Sequence, residues 1–239
     1  MCEDCGCGDT HLVSLEVHES LLAGNDRTAA HTRAHLRHDR VTAINLMGSP
    51  GAGKTALLEA TARVLGRRRR IAAITGDLAT ERDAERVRAA GIPSRAITTG
   101  SACHLDAEMV HHALHDGIGE DVDYLFIENV GNLVCPAVYD LGQEANVVVL
   151  SVTEGEDKPL KYPVMFRKAD LVILSKIDLL PALPDFELAA VKDALARVMP
   201  EPRLIALSSR SGGGVDAWTE WLESLHAVER APTGHAHSV

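Results

Sequence analysis

The sequence predicts an α/β domain: a mostly parallel, seven-stranded sheet with helices on both faces. Three observations carry that expectation. From Val41 onward, short apolar runs alternate with amphipathic stretches. The runs are continuously apolar, as in strands buried on both faces. A glycine-rich segment joins the first run directly to the first helical stretch.

Taken in order, the expected strands are residues 41–47, 71–75, 96–98, 124–128, 147–152, 171–174 and 204–207. The expected helices are residues 56–65, 81–90, 104–116, 186–198 and 215–226. Such alternation implies right-handed crossovers between parallel strands. Ligands then sit beyond the carboxyl ends of the strands, where Gly48, Asp77, Glu128, Ser175 and Ser208 fall. Residues 1–40 differ from the rest. They hold a Cys/Gly cluster and a polar, helix-compatible stretch with His18, His31, His35 and His38. The expected organisation is a terminal segment over 1–40, the main domain over 41–230 and a frayed tail over 231–239.

Apolar residues make up 46% and aromatics only 3%, so the core is expected to be Ala, Val, Leu and Ile. A formal charge of −10 opposes a nucleic-acid partner. The basic run Arg67 to Arg70 reads as a solvated connection. No stretch approaches the ~20 apolar residues of a membrane span, and no apolar signal region opens the chain. The expectation is a cytoplasmic protein with reduced cysteines.

The glycine-rich segment, Gly48-Ser49-Pro50-Gly51-Ala52-Gly53-Lys54-Thr55, fits G-x-x-x-x-G-K-[ST] between a strand and a helix. Its glycines let backbone N–H groups from Gly51 to Ala56 face phosphate oxygens. Lys54 reaches the outer phosphates, and the Thr55 hydroxyl suits Mg²⁺. The following helix adds its positive end. Ser175-Lys176-Ile177-Asp178 follows an apolar run. A carboxylate there accepts two hydrogen bonds from guanine and none from adenine, while the Lys176 stem lies along the base. The pattern resembles the [NT]-K-x-D element of GTPases. Ser175 replaces the usual Asn, which leaves the tie to the phosphate loop open. Ser208-Ser209-Arg210 resembles the loop that contacts the base carbonyl. Asp77 either serves Mg²⁺ and the attacking water or caps a helix over 79–85. Glu128-Asn129-Val130-Gly131 resembles the D-x-x-G switch, with Gly131 sensing the γ-phosphate and Glu128 reaching Mg²⁺ through water. Catalysis is assigned to Lys54, Asp77 and Glu128. With no clear water-activating Gln, slow turnover is expected.

Two groups suit transition metals. Cys2, Cys5 and Cys7, with the nearby α-amine, offer a four-coordinate set for Ni²⁺, with Zn²⁺ an alternative and a disulfide the rival reading. Cys103 and His104 cannot complete a site from one short segment. Cys135, beyond the switch, could complete it within one chain, or two copies could share ligands across a two-fold axis. Taken singly, each Cys could instead be a small buried hydrophobe. His111 and His115 share a helical face, as do His31, His35 and His38; both sets read as solvated stripes. His235 and His237 in the tail could bind metal weakly.

Cys2-Glu3-Asp4-Cys5-Gly6-Cys7, the phosphate loop, Gly100–Leu105, Glu128–Pro136 and Glu154–Pro163 together resemble the HypB family, which helps insert nickel into [NiFe]-hydrogenase. The resemblance covers essentially the whole chain. It implies a fold of the signal-recognition-particle and MinD-like (SIMIBI) P-loop class and GTP-promoted homodimerisation. It implies metal at Cys103, His104 and Cys135 in the dimer interface, and Ni²⁺ at Cys2, Cys5 and Cys7. Its implied partners are a HypA-type metallochaperone and the hydrogenase large-subunit precursor. The rivals are a urease-type nickel accessory GTPase, whose Cys-Pro-His motif differs from Cys103-His104, and a non-catalytic nickel reservoir. An ATP-driven partitioning protein or kinase is opposed by Asp178.

Overall fold

The computed structural model describes residues 10–78, 80–100 and 102–230. Cys2, Cys5, Cys7, His235 and His237 lie outside the described residues. Seven parallel strands form one sheet in the order β3-β2-β4-β1-β5-β6-β7. They are β1 Thr42–Met47, β2 Ile71–Asp77, β3 Ser94–Thr98, β4 Tyr124–Glu128, β5 Ala145–Ser151, β6 Leu171–Ser175 and β7 Leu204–Ala206. The helices are α1 Thr10–His38, α2 Lys54–Leu65, α3 Arg82–Ala89, α4 Ala107–His115, α5 Lys158–Lys161, α6 Pro163–Arg167, α7 Leu188–Val198 and α8 Val215–Arg230.

Strand side chains alternate between two packed layers. Ile44, Leu46, Ala73, Phe126, Val149 and Ile173 face α2, α3 and α8, whose Leu57, Leu58, Val87, Trp218 and Leu222 complete that core. Opposite, Ala43, Ile74, Leu125 and Ile127 meet Leu36 of α1 and Val110 of α4. Met47, Val148, Leu150, Val172 and Leu174 meet Met165 and Phe166 of α6 and Val191 and Leu195 of α7. Two polar groups within this core find partners. The Trp218 indole N–H donates to Thr61 Oγ1 at 2.8 Å, and the Tyr124 hydroxyl donates to the Leu222 carbonyl at 3.1 Å.

Two expectations need correction. Burial on both faces holds for the inner strands but not for β3 and β7, which are only part-buried. Each is an edge strand with one neighbour. The helix expected from His104 starts at Ala107, because Asp106 caps it by accepting from the Met109 N–H at 2.8 Å. His104 therefore stands in the turn before the helix. The short α5 and α6, each opening on an early proline, were not foreseen.

Helix α1 closes the open side of the sheet beside α4. Asn25 accepts from the Ala107 N–H at 2.9 Å and donates to the Asp140 carbonyl at 2.8 Å, and Arg33 pairs with the Asp140 carboxylate at 2.6 Å. The neighbouring turn passes so close that a Cβ on Gly142 (φ 83°) would stand 2.8 Å from the Ala29 carbonyl oxygen. No helix among the described residues is long and apolar enough to cross a membrane.

Candidate functional site

The phosphate loop turns at Gly48, whose φ is 145° and whose absent Cβ would lie 2.4 Å from the Val149 carbonyl oxygen. A side chain there would drive the loop off β5. Lys54 opens α2 and is 7% exposed. Its ammonium donates to the carbonyls of Gly48 at 3.2 Å and Ser49 at 3.3 Å, folded back across the loop. Burial lowers its pKa, against the pull of Glu128, Asp83, Glu154 and Asp77. Thr55 donates to Glu128 Oε1 at 2.8 Å and to Asp83 Oδ1 at 2.9 Å. Glu128 ends β4 at 3% exposure. Burial pushes its carboxyl up to about 7, opposed chiefly by Lys54, and its Oε2 has no hydrogen-bond partner.

These groups line a cleft of about 370 Å³, with Asp77, Arg86 and Gly131 on its walls. A buried lysine, a loop of backbone N–H groups and a helix N-terminus call for a polyanion. Oxygen donors from Thr55, Asp83 and Glu128, one of them unpartnered, fit a hard cation such as Mg²⁺. Asp77 accepts from the Thr80 hydroxyl at 2.8 Å, and α3 starts at Arg82 with Glu81 in the N-cap position, so the helix-cap reading of Asp77 does not hold. Gly131 sits against the loop: a Cβ there would stand 2.9 Å from Pro50.

A second cleft, about 250 Å³ and mostly apolar, lies beside Gly53 and Ala56 at the end of β6. Asp178, Lys176, Ser209 and Arg210 line it. Ser175, standing in place of Asn, makes the tie to the loop itself, donating to the Ala52 carbonyl at 2.6 Å. Lys176, at φ 61°, reaches over to the Gly51 carbonyl at 2.7 Å. The Ser208 hydroxyl donates to Asp178 Oδ1 at 2.5 Å and is fully buried. Ser208 thus orients the carboxylate, and the loop residues facing the cleft are Ser209 and Arg210.

Cys103, His104 and Cys135 come together within one chain, their ligand atoms all within 4.8 Å of one another. The Cys103 and Cys135 sulfurs are 2.9 Å apart, and Cys103 Sγ is 3.9 Å from His104 Nδ1. The imidazole stacks on Tyr139, with ring centroids 3.9 Å apart. Burial lowers the His104 pKa and so favours the neutral ring. The hydrogen bond to Cys103 holds the Cys135 thiol above its ordinary pKa; an ion would take the place of that shared proton. Two soft thiols and an imidazole suit Ni²⁺ or Zn²⁺.

The thiol group is stitched to the phosphate cleft. Asn129, 1% exposed, accepts from the Leu105 N–H at 3.1 Å and from its own neighbour's N–H, on Val130, at 3.0 Å. Asn132 donates to the Cys103 carbonyl at 3.4 Å, and its backbone bridges to Gly48.

A family model described as "CobW/HypB/UreG, nucleotide-binding domain" matches residues 42–205. The chain belongs to the CobW/HypB/UreG family. A "Hydrogenase maturation factor HypB" of Azotobacter vinelandii is 52% identical over 209 residues, covering 87% of this chain and 69% of that one. A "Hydrogenase/urease maturation factor HypB" of Helicobacter pylori is 40% identical over 212 residues, covering 87% and 86%. A crystal structure of Helicobacter pylori HypB in complex with nickel matches with TM-score 0.81 at 39% identity, over 90% of this chain and 100% of that one. Within the CobW/HypB/UreG family the chain is a P-loop GTPase of the HypB kind.

For this CobW/HypB/UreG protein, sequence reasoning missed Asp83, which shares the Thr55 hydroxyl. Nothing marks it among the charges of α3. It also missed Glu154, which accepts from the Ser49 hydroxyl at 2.6 Å and ties the phosphate loop to the segment after β5. The dense Glu154–Pro163 run was a signal, but not of that contact. Tyr139 had no signal.

Proposed function

We propose that this chain is a GTP-hydrolysing metallochaperone that delivers nickel during [NiFe]-hydrogenase maturation, with its hold on the ion set by nucleotide state. One observation carries the reading. Cys135 lies on the segment that leaves the phosphate cleft at Glu128 and Gly131, and its sulfur stands 2.9 Å from that of Cys103. The names of its relatives, one a hydrogenase maturation factor and one a nickel complex, support the choice of cargo.

In this reading Gly48, Gly51, Ala52, Gly53 and Ala56 cradle the phosphates, and Lys54 swings from the loop carbonyls to the outer ones. Asp178, held by Ser208, selects guanine, and Lys176 covers the base. Thr55, Asp77, Asp83 and Glu128 would hold Mg²⁺, which would neutralise phosphate charge. Gly131 follows the γ-phosphate, and Asn129 and Asn132 pass the shift to Cys103, His104 and Cys135. Residues 1–40 supply a separate Ni²⁺ site through Cys2, Cys5 and Cys7, residues 41–230 form the GTPase, and 231–239 are a tail. The protein works in the cytoplasm as a GTP-promoted homodimer, receives nickel from a HypA-type metallochaperone and serves the hydrogenase large-subunit precursor. The Helicobacter relative's name adds urease as a second recipient.

The test is nickel affinity by chelator competition, with Cys2, Cys5 and Cys7 changed to Ser, under GDP and under a non-hydrolysable GTP analogue. The two affinities are expected to differ by about five-fold or more. Equal affinities overturn the switch, and an absence of GTP turnover leaves a simple reservoir.

A further inference from the structure

We propose that His31, His111 and His115 form a further metal site, where α1 packs beside α4, that takes a borderline divalent ion such as Ni²⁺ or Zn²⁺. Read singly, each histidine belongs to a solvated stripe. The fold joins the two stripes. His111 and His115 lie one turn apart on α4, with Nε2 atoms 3.0 Å apart and rings edge to face at 4.4 Å. The ring of His31, from α1, stands 5.2 Å from that of His111 and nearly perpendicular to it.

The donor spacing of the α4 pair fits an ion, and His31 joins it by turning its ring. Imidazole nitrogens bind at ~2.0–2.1 Å, so two of them in neighbouring positions on one ion lie about 3 Å apart. The His111–His115 pair already has that separation. Thr32 stands beside His111 with its hydroxyl oxygen 3.5 Å from Nδ1, which occupies that nitrogen and leaves Nε2 to the pair. His31 and His115 are exposed, so an ion can enter from solvent and His31 can turn toward it without disturbing the core. Partial burial and the surrounding imidazoles lower the His111 pKa, favouring the neutral form that carries a free lone pair.

The site is separate from the thiol group yet near it. His111 lies about 6 Å at helical rise beyond Ala107, the first residue of α4, and His104 stands in the turn just before that helix. Its donors are all nitrogen, without the two sulfurs that draw soft ions to the thiol group. It therefore suits an ion held loosely and passed on, and it stands whether or not nucleotide controls Cys103 and Cys135.

The test uses the full chain with all its cysteines (Cys2, Cys5, Cys7, Cys103 and Cys135) changed to Ser, titrated with Ni²⁺ alone by calorimetry. That chain is expected to bind the ion, and His111→Gln and His115→Gln are each expected to weaken binding about ten-fold or more. His38→Gln, an exposed histidine off the cluster, should leave it unchanged. In the same chain, paramagnetic Ni²⁺ should broaden the imidazole signals of His111 and His115 before that of His38, a readout that needs no variant to fold. Equal affinity in the His111→Gln chain, an equal loss in His38→Gln, or broadening of all histidines together would each overturn the site.

Discussion

The phosphate cleft and the thiol group hang on the same stretch, residues 128–135, but are built in opposite ways. The cleft is mostly backbone and buried charge. Lys54 and Glu128 are 7% and 3% exposed, one depressed and one raised in pKa by burial, and Glu128 keeps an oxygen without a partner. The thiol group is three part-buried side chains on two loops, satisfied mainly by one another and by the Tyr139 ring. The cleft is thus a strained receptor whose charges await a polyanion and a cation. The thiol group can rearrange without opening the core. On the function proposed above, this difference sets the roles: nucleotide would reshape the cleft and the metal ligands would respond, with the coupling reciprocal.

The largest effect expected from this contrast is at Asp178. If the cleft selects its nucleotide by rigid placement, Asp178→Asn removes the acceptor pair for guanine and offers a donor instead. GTP affinity should fall by about 100-fold or more, and xanthosine triphosphate should gain. Metal affinity measured without nucleotide should not move, because Asp178 is held by Ser208 and lines the base cleft, not the thiol group. Titration with labelled GTP and its xanthosine counterpart reads the change. An unaltered nucleotide order would break the assignment of the second cleft.

A smaller effect sharpens the link between the regions. Asn129 is buried and holds the Leu105 N–H, one residue from His104, together with the Val130 N–H that leads to Gly131. Asn129→Ala leaves these donors unsatisfied and should cost about 1–3 kcal/mol in a denaturant melt. It should also shrink the ratio of nickel affinities between the GTP-analogue and GDP states toward unity, with each nucleotide still bound. A ratio that survives the substitution would place the coupling elsewhere, with the Asn132 bridge between Gly48 and Cys103 the next candidate.

The same contrast explains what could be read before the fold was known. The strands were legible because apolar runs such as Leu171–Leu174 and Tyr124–Ile127 are too short for helices and alternate with amphipathic stretches. The phosphate loop and Asp178 were legible because their chemistry is local: each pattern lies within a few residues and its flanks name the context. The part-burial of β3 and β7 was not, because an edge is a property of strand order and not of the strand. Nor was the role of Asn129, whose partners come from Asn45 and Leu105, far away along the chain. Cys103 and Cys135 fell between these cases. Their chemistry was visible singly, but whether they met within one chain or across two was fixed only by the turn that carries Cys135 back over the start of α4.

A third effect tests the strain in the cleft by pH. An exposed Glu carboxyl ionises near 4.5, whereas that of Glu128 is pushed up to about 7 by burial. Between those values the folded chain holds a proton that the unfolded chain has released, so raising the pH favours unfolding. The stability contribution is fully present below about 4.5 and is lost as the pH climbs through about 7. Glu128→Gln keeps the shape and never ionises. Without nucleotide, it should match the parent under acid conditions and exceed it under alkaline ones by about 2–3 kcal/mol, the attraction to Lys54 being already contained in the value of about 7. That is a few degrees in Tm for a domain of this size. Adding nucleotide with Mg²⁺ should flatten the parent's slope, because a cation beside the unpartnered oxygen favours the ionised form that burial opposes. A parent slope unchanged by nucleotide would mean that Glu128 is buried for packing alone, and the cleft would lose its claim to be strained for its ligand.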